Sequence, residues 1–314
     1  ESEVTKINAY LIEGEDLILD SVDQPICDVP LMIKGSQPTD GGNLLFTQDE
    51  VQSFLEEEPG ARKYIRPFIS AHEYLNGEKR YCLWLKEASP KDIKSMTKVQ
   101  ERINLVREMR LESTKESTRK WAQKSMLFTE DRQPNSTYIL VPSHSSENRK
   151  YIPFDFLSPD SILNNSCFSI PNATPYHFGI LSSFMHMVWV KYTCGRLKSD
   201  YRYSNTIVYN NFPWPESPTD KQKAQIEQAA QAVLDARAQF PESSLADLYD
   251  PLTMPPVLLK AHQELDKAVD LAYRPQPFPS EAKRMEFLFE LYEKYTAGLF
   301  GEEKKGKKKK SAKA

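Results

Sequence analysis

Glycine is scarce, 11 in 314 residues. No Gly-rich run joins a strand-like segment to a helical one, which removes the usual cradle for a nucleotide's phosphates. Cysteine is scarce too. Cys27, Cys82, Cys167 and Cys194 lie far apart and make no C-x-x-C pair, so neither a zinc site nor a disulfide framework is expected, and the pattern fits buried thiols in a reducing cytoplasm. No apolar run reaches the roughly 18 residues that a membrane span needs, and no secretory signal opens the chain, so no membrane partner is expected. The five histidines (His72, His144, His177, His186 and His262) make no HExxH or similar metal spacing. His144 lies among Ser143, Ser145 and Ser146, but without a GxSxG elbow a polar loop is a better reading than a hydrolase triad. Pro159-Asp160 and the distant Glu281-Ala282-Lys283 are a poor basis for a metal-dependent nuclease. A positive balance is also lacking. Lys and Arg number 41 against 44 Asp and Glu, a net charge of −3, so binding to a polyanion would have to rest on local patches.

What is present describes an ordinary globular chain. Apolar residues make up 39% and charged residues 27%, and proline is abundant at 22. The length suggests about two domains. The chain opens at Glu1 in a polar, strand-like segment, which suggests part of something longer. Residues 1–211 read as mixed α/β. Segments 6–12 and 16–19 flank Glu13-Gly14-Glu15 as a hairpin. Thr47 precedes a short helix over 48–57 that Pro59-Gly60 ends. Segments 64–69 and 80–85 read as strands around an Asn76-Gly77 turn. Ser89-Pro90 opens a helix with apolar residues at Ile93, Met96, Val99, Ile103 and Val106, running to about 116. The Lys98, Arg102, Arg107 and Arg110 face is expected to be solvated, with phosphate contact as the alternative. Segments 138–141 and 151–156 read as strands, and 178–190, apolar on nearly every side, as a buried helix.

After Phe212-Pro213-Trp214-Pro215, an extended anchor, three helices are expected. Thr219 or Asp220 caps the first, Pro255-Pro256 opens the second and Ser280 caps the third. The fold class is therefore a mixed α+β domain over 1–215, then a small all-α helical domain over 216–300. A Lys-rich tail over 301–314 is expected to be disordered.

Three clusters carry chemistry. In 195–204, Arg196, Lys198 and Arg202 can meet phosphate, and the hydroxyls of Tyr203 and Ser204 can donate to it. Asp200 has a plainer role, orienting a neighbouring arginine. A structural network accounts for this stretch equally well. In 145–151, Glu147, Asn148 and Arg149 are the groups that discriminate base edges: glutamate accepting from cytosine, asparagine on adenine, arginine on guanine. A solvated turn is the plainer alternative. Lys63, Arg66, Lys79 and Arg80 flank two strands as weaker backbone-contact candidates, with Trp84 read as core.

Taken in order, KYIRPFI (63–69), NGEKRYCLWL (76–85), SSENRKYIPF (145–154), FGILSSFMHMVWV (178–190), GRLKSDYRYS (195–204) and YNNFPWP (209–215) resemble the MmeI-like family of single-chain bacterial adenine DNA methyltransferases, often fused to a nuclease. Residues 216–300 resemble that family's C-terminal domain more loosely. The resemblance implies a target recognition domain that reads double-stranded DNA, working with an N-terminal methyltransferase core of the same polypeptide. It implies S-adenosylmethionine as methyl donor to the full-length enzyme, with none held by this chain. Such amino methyltransferases carry Asn/Asp-Pro-Pro-aromatic. Here Pro255-Pro256 stands between Met254 and Val257, and no catalytic residue is assigned. The competing reading is a protein–protein interaction module, with the helices over 219–298 supplying the surface.

Overall fold

The computed structural model describes residues 6–10, 12 and 17–310, with side chains as far as Ala297. The Glu13-Gly14-Glu15 turn of the expected hairpin lies outside the described residues, and the described residues on either side of it form no strand. The fold class is a mixed α+β part followed by helices, as the patterning indicates.

Among the described residues, three small sheets organise the first part. In one, strand Tyr138–Pro142 pairs with Cys167–Pro171 and Asp155–Leu157, and Ile33–Lys34 extends it, all antiparallel. In another, Arg80–Leu83 lies between Leu45–Thr47 and Ile65–Ile69, and the last pairs in parallel with Ile162–Leu163. The third joins Gly195–Leu197, Asp200–Arg202 and His144–Ser145.

Where local signals are strong the elements fall as read. Helix Gln48–Glu57 begins at Thr47, whose side chain and that of Glu50 form a reciprocal capping box. Helix Asp220–Ala238 begins in the same way with Thr219 and Gln222. Other expectations are corrected. Asn76-Gly77 is no hairpin turn. Ser70 and Glu73 nucleate helix Ala71–Asn76 between the two strands, and Gly77 ends it in the left-handed region at φ +71°. The expected long helix divides into Pro90–Ser95 and Thr97–Leu111, because Met96 turns out of the helical region to bury its side chain. The apolar helix likewise divides into Pro175–Leu181 and Phe184–Thr193, with Ser183 capping the second. Residues 151–154 are irregular, and the strand there is Asp155–Leu157. The last helix runs Glu281–Lys310 instead of giving way to a tail at 301. Lysine and glutamate are good helix formers, and extending a formed helix needs no new nucleus. Residues 311–314 lie outside the described residues.

Two main cores result. The smaller gathers Leu44, Phe46, Phe68, Leu83, Val99 and Val106. The larger joins Ile139 and Val141 of the first sheet, Trp189 and Phe212 to Ile226, Val233, Leu265, Met285 and Leu288 of the C-terminal helices. The helices after 216 therefore spend their apolar stripes on the first part of the chain. The 209–215 segment fastens this junction. Asn211 donates its amide to the carbonyls of Asp20, Thr206 and Ile207, while Tyr273 and Tyr295 donate to the carbonyls of Pro213 and Trp214. Where helix Pro175–Leu181 crosses Asp220–Ala238, a Cβ on Gly179 would come within 2.6 Å of the Ile226 Cγ2, itself fully buried. Gly179→Ala is expected to cost roughly 1–3 kcal/mol by overpacking, read as a lower denaturant midpoint at unchanged slope.

Candidate nucleic-acid interface

Residues 145–149 and 195–202 are remote in sequence and adjacent in space. Strand Asp200–Arg202 pairs with His144–Ser145, setting Tyr201 opposite Ser145 and Arg202 opposite His144. Gly195–Leu197 and Asp200–Arg202 form a tight hairpin with Lys198 and Ser199 at its tip, Lys198 in the left-handed region at φ +55°. The chain leaves His144–Ser145 into a turn at Glu147-Asn148, so the turn and the hairpin stand side by side. Asp200 joins them. Its Oδ1 accepts the N–H of Glu147 at 3.3 Å, in place of the expected arginine ion pair. Its charge still supports that of Arg149.

The predicted residues divide into committed and available groups. Glu147 and Asn148 are exposed. Arg149 is half-buried. Its Nη1 makes one long bond to Ser145 Oγ at 3.4 Å, and its buried Nε has no partner. Burial pulls its guanidinium below the usual range, while Asp200 and Asp250 push the other way. An arginine so poorly satisfied has donors to spare for an incoming acceptor. Lys198 and Arg202 are exposed and engage no side-chain partner among the described residues. Arg196 is largely committed. It lies over the Tyr201 ring at 4.1 Å and donates to the carbonyls of Ser199 and Lys191, with Glu147 at 3.9 Å.

Tyr203 is a correction. It is 3% exposed, and its hydroxyl meets His186 Nε2 at 2.9 Å. Strand alternation turns Tyr201 and Tyr203 inward and leaves Arg202 outward, so Tyr203 cannot reach a phosphate. Ser204 is also committed, capping the turn Asn205–Tyr209 through Ile207 N and meeting Thr206 Oγ1. Of the weaker candidates, Lys63 pairs with Asp92 at 3.2 Å, Arg80 with Glu73 at 3.4 Å, and Arg66 donates to the carbonyls of Lys63 and Ile65. Lys79 is exposed. Trp84 packs edge-on against Phe128 at 4.9 Å, as a core residue does. The Arg102 and Arg110 flank of helix Thr97–Leu111 is neither solvated nor free for phosphate. Arg102 covers the Phe46 ring at 4.0 Å, and Arg110 is fully buried.

A hydrolase finds no support in the geometry. His144 Nδ1 meets Ser143 Oγ at 2.9 Å, but that hydroxyl donates its proton to the Ser166 carbonyl at 2.6 Å. The imidazole therefore serves it as a donor and not as a base. His177 Nδ1 is held by Thr174. A cavity of about 580 Å³ beside His177, Trp214 and Tyr295 is lined by none of the predicted residues. No cluster of His, Cys, Asp or Glu suited to a metal occurs among the described residues, and no helix there is long and apolar enough to cross a membrane. The residues also do not fit a methyl-donor cradle. The named parallel pairing among them is the short one of Phe68-Ile69 with Ile162-Leu163, and the glycines of positive φ are Gly41, Gly42 and Gly77, none at a strand-to-helix phosphate turn.

The sequence model for the MmeI target recognition domain matches residues 13–216, and that for the MmeI C-terminal domain matches 218–300. DNA methyltransferase A of Bacillus subtilis (strain 168) is 43% identical over 293 residues, which cover 93% of this chain and 33% of that protein. The solved structure of the Type IIL restriction-modification enzyme MmeI in complex with DNA superposes with a TM-score of 0.90 at 46% identity, over 94% of this chain and 39% of that one. The chain thus spans about a third of the curated relative.

Proposed function

Since the chain belongs to the MmeI family through its target recognition and C-terminal domains, we propose that it is the sequence-specific double-stranded DNA recognition module of a bacterial, S-adenosylmethionine-dependent adenine-N6 DNA methyltransferase of the restriction-modification type. The observation that carries this reading is the half-buried, under-satisfied Arg149, beside exposed Glu147 and Asn148 and next to a hairpin that exposes Lys198 and Arg202. Glu147, Asn148 and Arg149 read base edges in the major groove. Lys198 and Arg202 position the phosphates, Lys79 adds to them, and Arg196 stiffens the hairpin. Donor binding, base flipping and methyl transfer belong to a methyltransferase core outside these residues.

A basic strip on an otherwise acidic body reconciles a net charge of −3 with DNA binding, since attraction follows local patches. The interaction-module alternative loses its main support. The apolar stripes of the C-terminal helices, including Ile226, Leu265 and Leu288, are buried within the chain.

Binding to a randomised duplex pool at low and moderate salt, with sequencing of what is retained, tests the reading. The chain should enrich one short motif. Arg149→Ala should relax one position by about 1–3 kcal/mol, while Lys198→Ala or Arg202→Ala should weaken all sequences alike and lower the salt slope by about one. A folded chain that retains no duplex even at low salt would overturn the reading in favour of the interaction module.

A further inference from the structure

A reading loop discriminates bases only if its ends are held to a fraction of an ångström. The 146–150 loop has little of its own to hold it, a turn bond from the Arg149 N–H to the Ser146 carbonyl at 3.2 Å and one from the Asn148 N–H to Ser146 Oγ at 3.3 Å. Its first end is strand His144–Ser145 of the three-stranded sheet. Its second end is Tyr151, which is 1% exposed. The Tyr151 hydroxyl donates to Asp266 Oδ2 at 2.7 Å, and its ring stacks on His262 at 4.1 Å and 16°. His262 and Asp266 are one turn apart on helix Pro256–Tyr273 and so share a face. The other oxygen of Asp266 accepts the N–H of Phe184 at 2.6 Å, at the start of helix Phe184–Thr193. One carboxylate thus ties together the loop, the buried apolar helix and the C-terminal helices.

We propose that this Tyr151–Asp266 latch, with His262 beneath the ring, is the positioning device for base readout, so that the C-terminal helical part sets where Glu147 and Arg149 stand without lending the loop a residue. The inference rests on the base-reading role of 147–149 given above. Burial pushes the Asp266 carboxyl up to about 6, so the group is held where water would suit it better. A buried polar group of this kind is a poor choice for stability alone and a good one for fixing a geometry. Tyr151, His262 and Asp266 are positioning residues, since Tyr151 and His262 are buried and both oxygens of Asp266 are engaged within the protein.

The test uses the 314-residue chain in the same duplex selection, with Arg149→Ala as reference and thermal melts run alongside. Tyr151→Phe keeps the ring and removes the bond; Asp266→Ala removes the acceptor. Both should lose about tenfold of the preference at the position that Arg149→Ala relaxes, with the salt slope unchanged. Asp266→Asn should restore most of it, because the amide oxygen can accept from Phe184 and the amide nitrogen can donate to the Tyr151 hydroxyl. If Arg149→Ala relaxes one position and Tyr151→Phe keeps full preference, the latch proposal fails and the loop assignment stands. A uniform loss of affinity in Tyr151→Phe, with preference kept, overturns it equally. A wild-type chain with no preference removes the loop assignment and the latch with it. Should Asp266→Ala not fold, Tyr151→Phe and Asp266→Asn decide the matter.

Discussion

Arg110→Met is expected to lower the free energy of unfolding by about 3–5 kcal/mol. Arg110 is 0% exposed and spends all five N–H donors on main-chain carbonyls. Its Nε reaches Thr39 at 2.9 Å, Nη1 reaches Trp121 and Lys124 at 3.1 Å each, and Nη2 reaches Pro38 and Leu127 at 2.8 Å each. The guanidinium thereby ties the 38–39 loop and the short 3-10 helix Trp121–Lys124 with the residues after it to the end of helix Thr97–Leu111, with buried Asp40 adding charge support. Methionine fills much of the volume and leaves five carbonyls without that donor. Each such buried loss costs about 1–3 kcal/mol unless water replaces it, and loop relaxation brings the sum down to the range given. Arg110→Lys should recover little, since an ammonium offers three donors in a different geometry. Urea denaturation of the three proteins decides it; a shift below about 1 kcal/mol in Arg110→Met would sink the assignment.

Acid should destabilise this protein through its buried histidines. His186 and His262 are buried, and burial holds both imidazoles down at about 3. Each folded-state pKa lies below the unfolded value, near 6.5. The stability tied to the neutral rings is therefore complete above pH 6.5 and is lost as pH falls toward 3, at about 1.4 kcal/mol per pH unit for each ring. Asp266 works in the opposite sense. Its carboxyl is raised from 3.8 to about 6, so the folded state holds a proton that the unfolded state releases, and this contribution grows as pH falls through 6. The net slope should be about 2.7 kcal/mol per unit between pH 6.5 and 6, then about half that down to pH 4. His186→Gln, which can still meet the Tyr203 hydroxyl, should flatten the profile by one histidine's share. An unfolding profile level from pH 7 to 5 would show that the rings gain protons without unfolding.

Legibility followed the range of the signals. The capping pairs Thr47–Glu50 and Thr219–Gln222 operate within one helical turn, and both helices begin where the sequence places them. Ser70–Glu73 carries the same signal and was eclipsed by the neighbouring Asn76-Gly77, a dipeptide that suits a helix C-cap as well as a hairpin turn. Among the candidate site residues, composition named Glu147, Arg149, Lys198 and Arg202, but it also named Tyr203, which strand alternation turns inward. No local signal marked Asp266, because its partner Tyr151 is 115 residues away.

By itself the sequence determined the helices with their own caps, the apolar stripes of 220–273, the family to which the chain belongs and the two stretches proposed here for recognition. The tertiary structure alone decided that these stretches are neighbours, through the pairing of Tyr201 with Ser145 and Arg202 with His144. It also decided that Arg110 faces inward and that the C-terminal helices share a core with the recognition part. The physical reason is one of range. Caps and periodicity are satisfied within a few residues of chain, whereas strand register and the partners of a buried charge are fixed only when distant segments exclude water together.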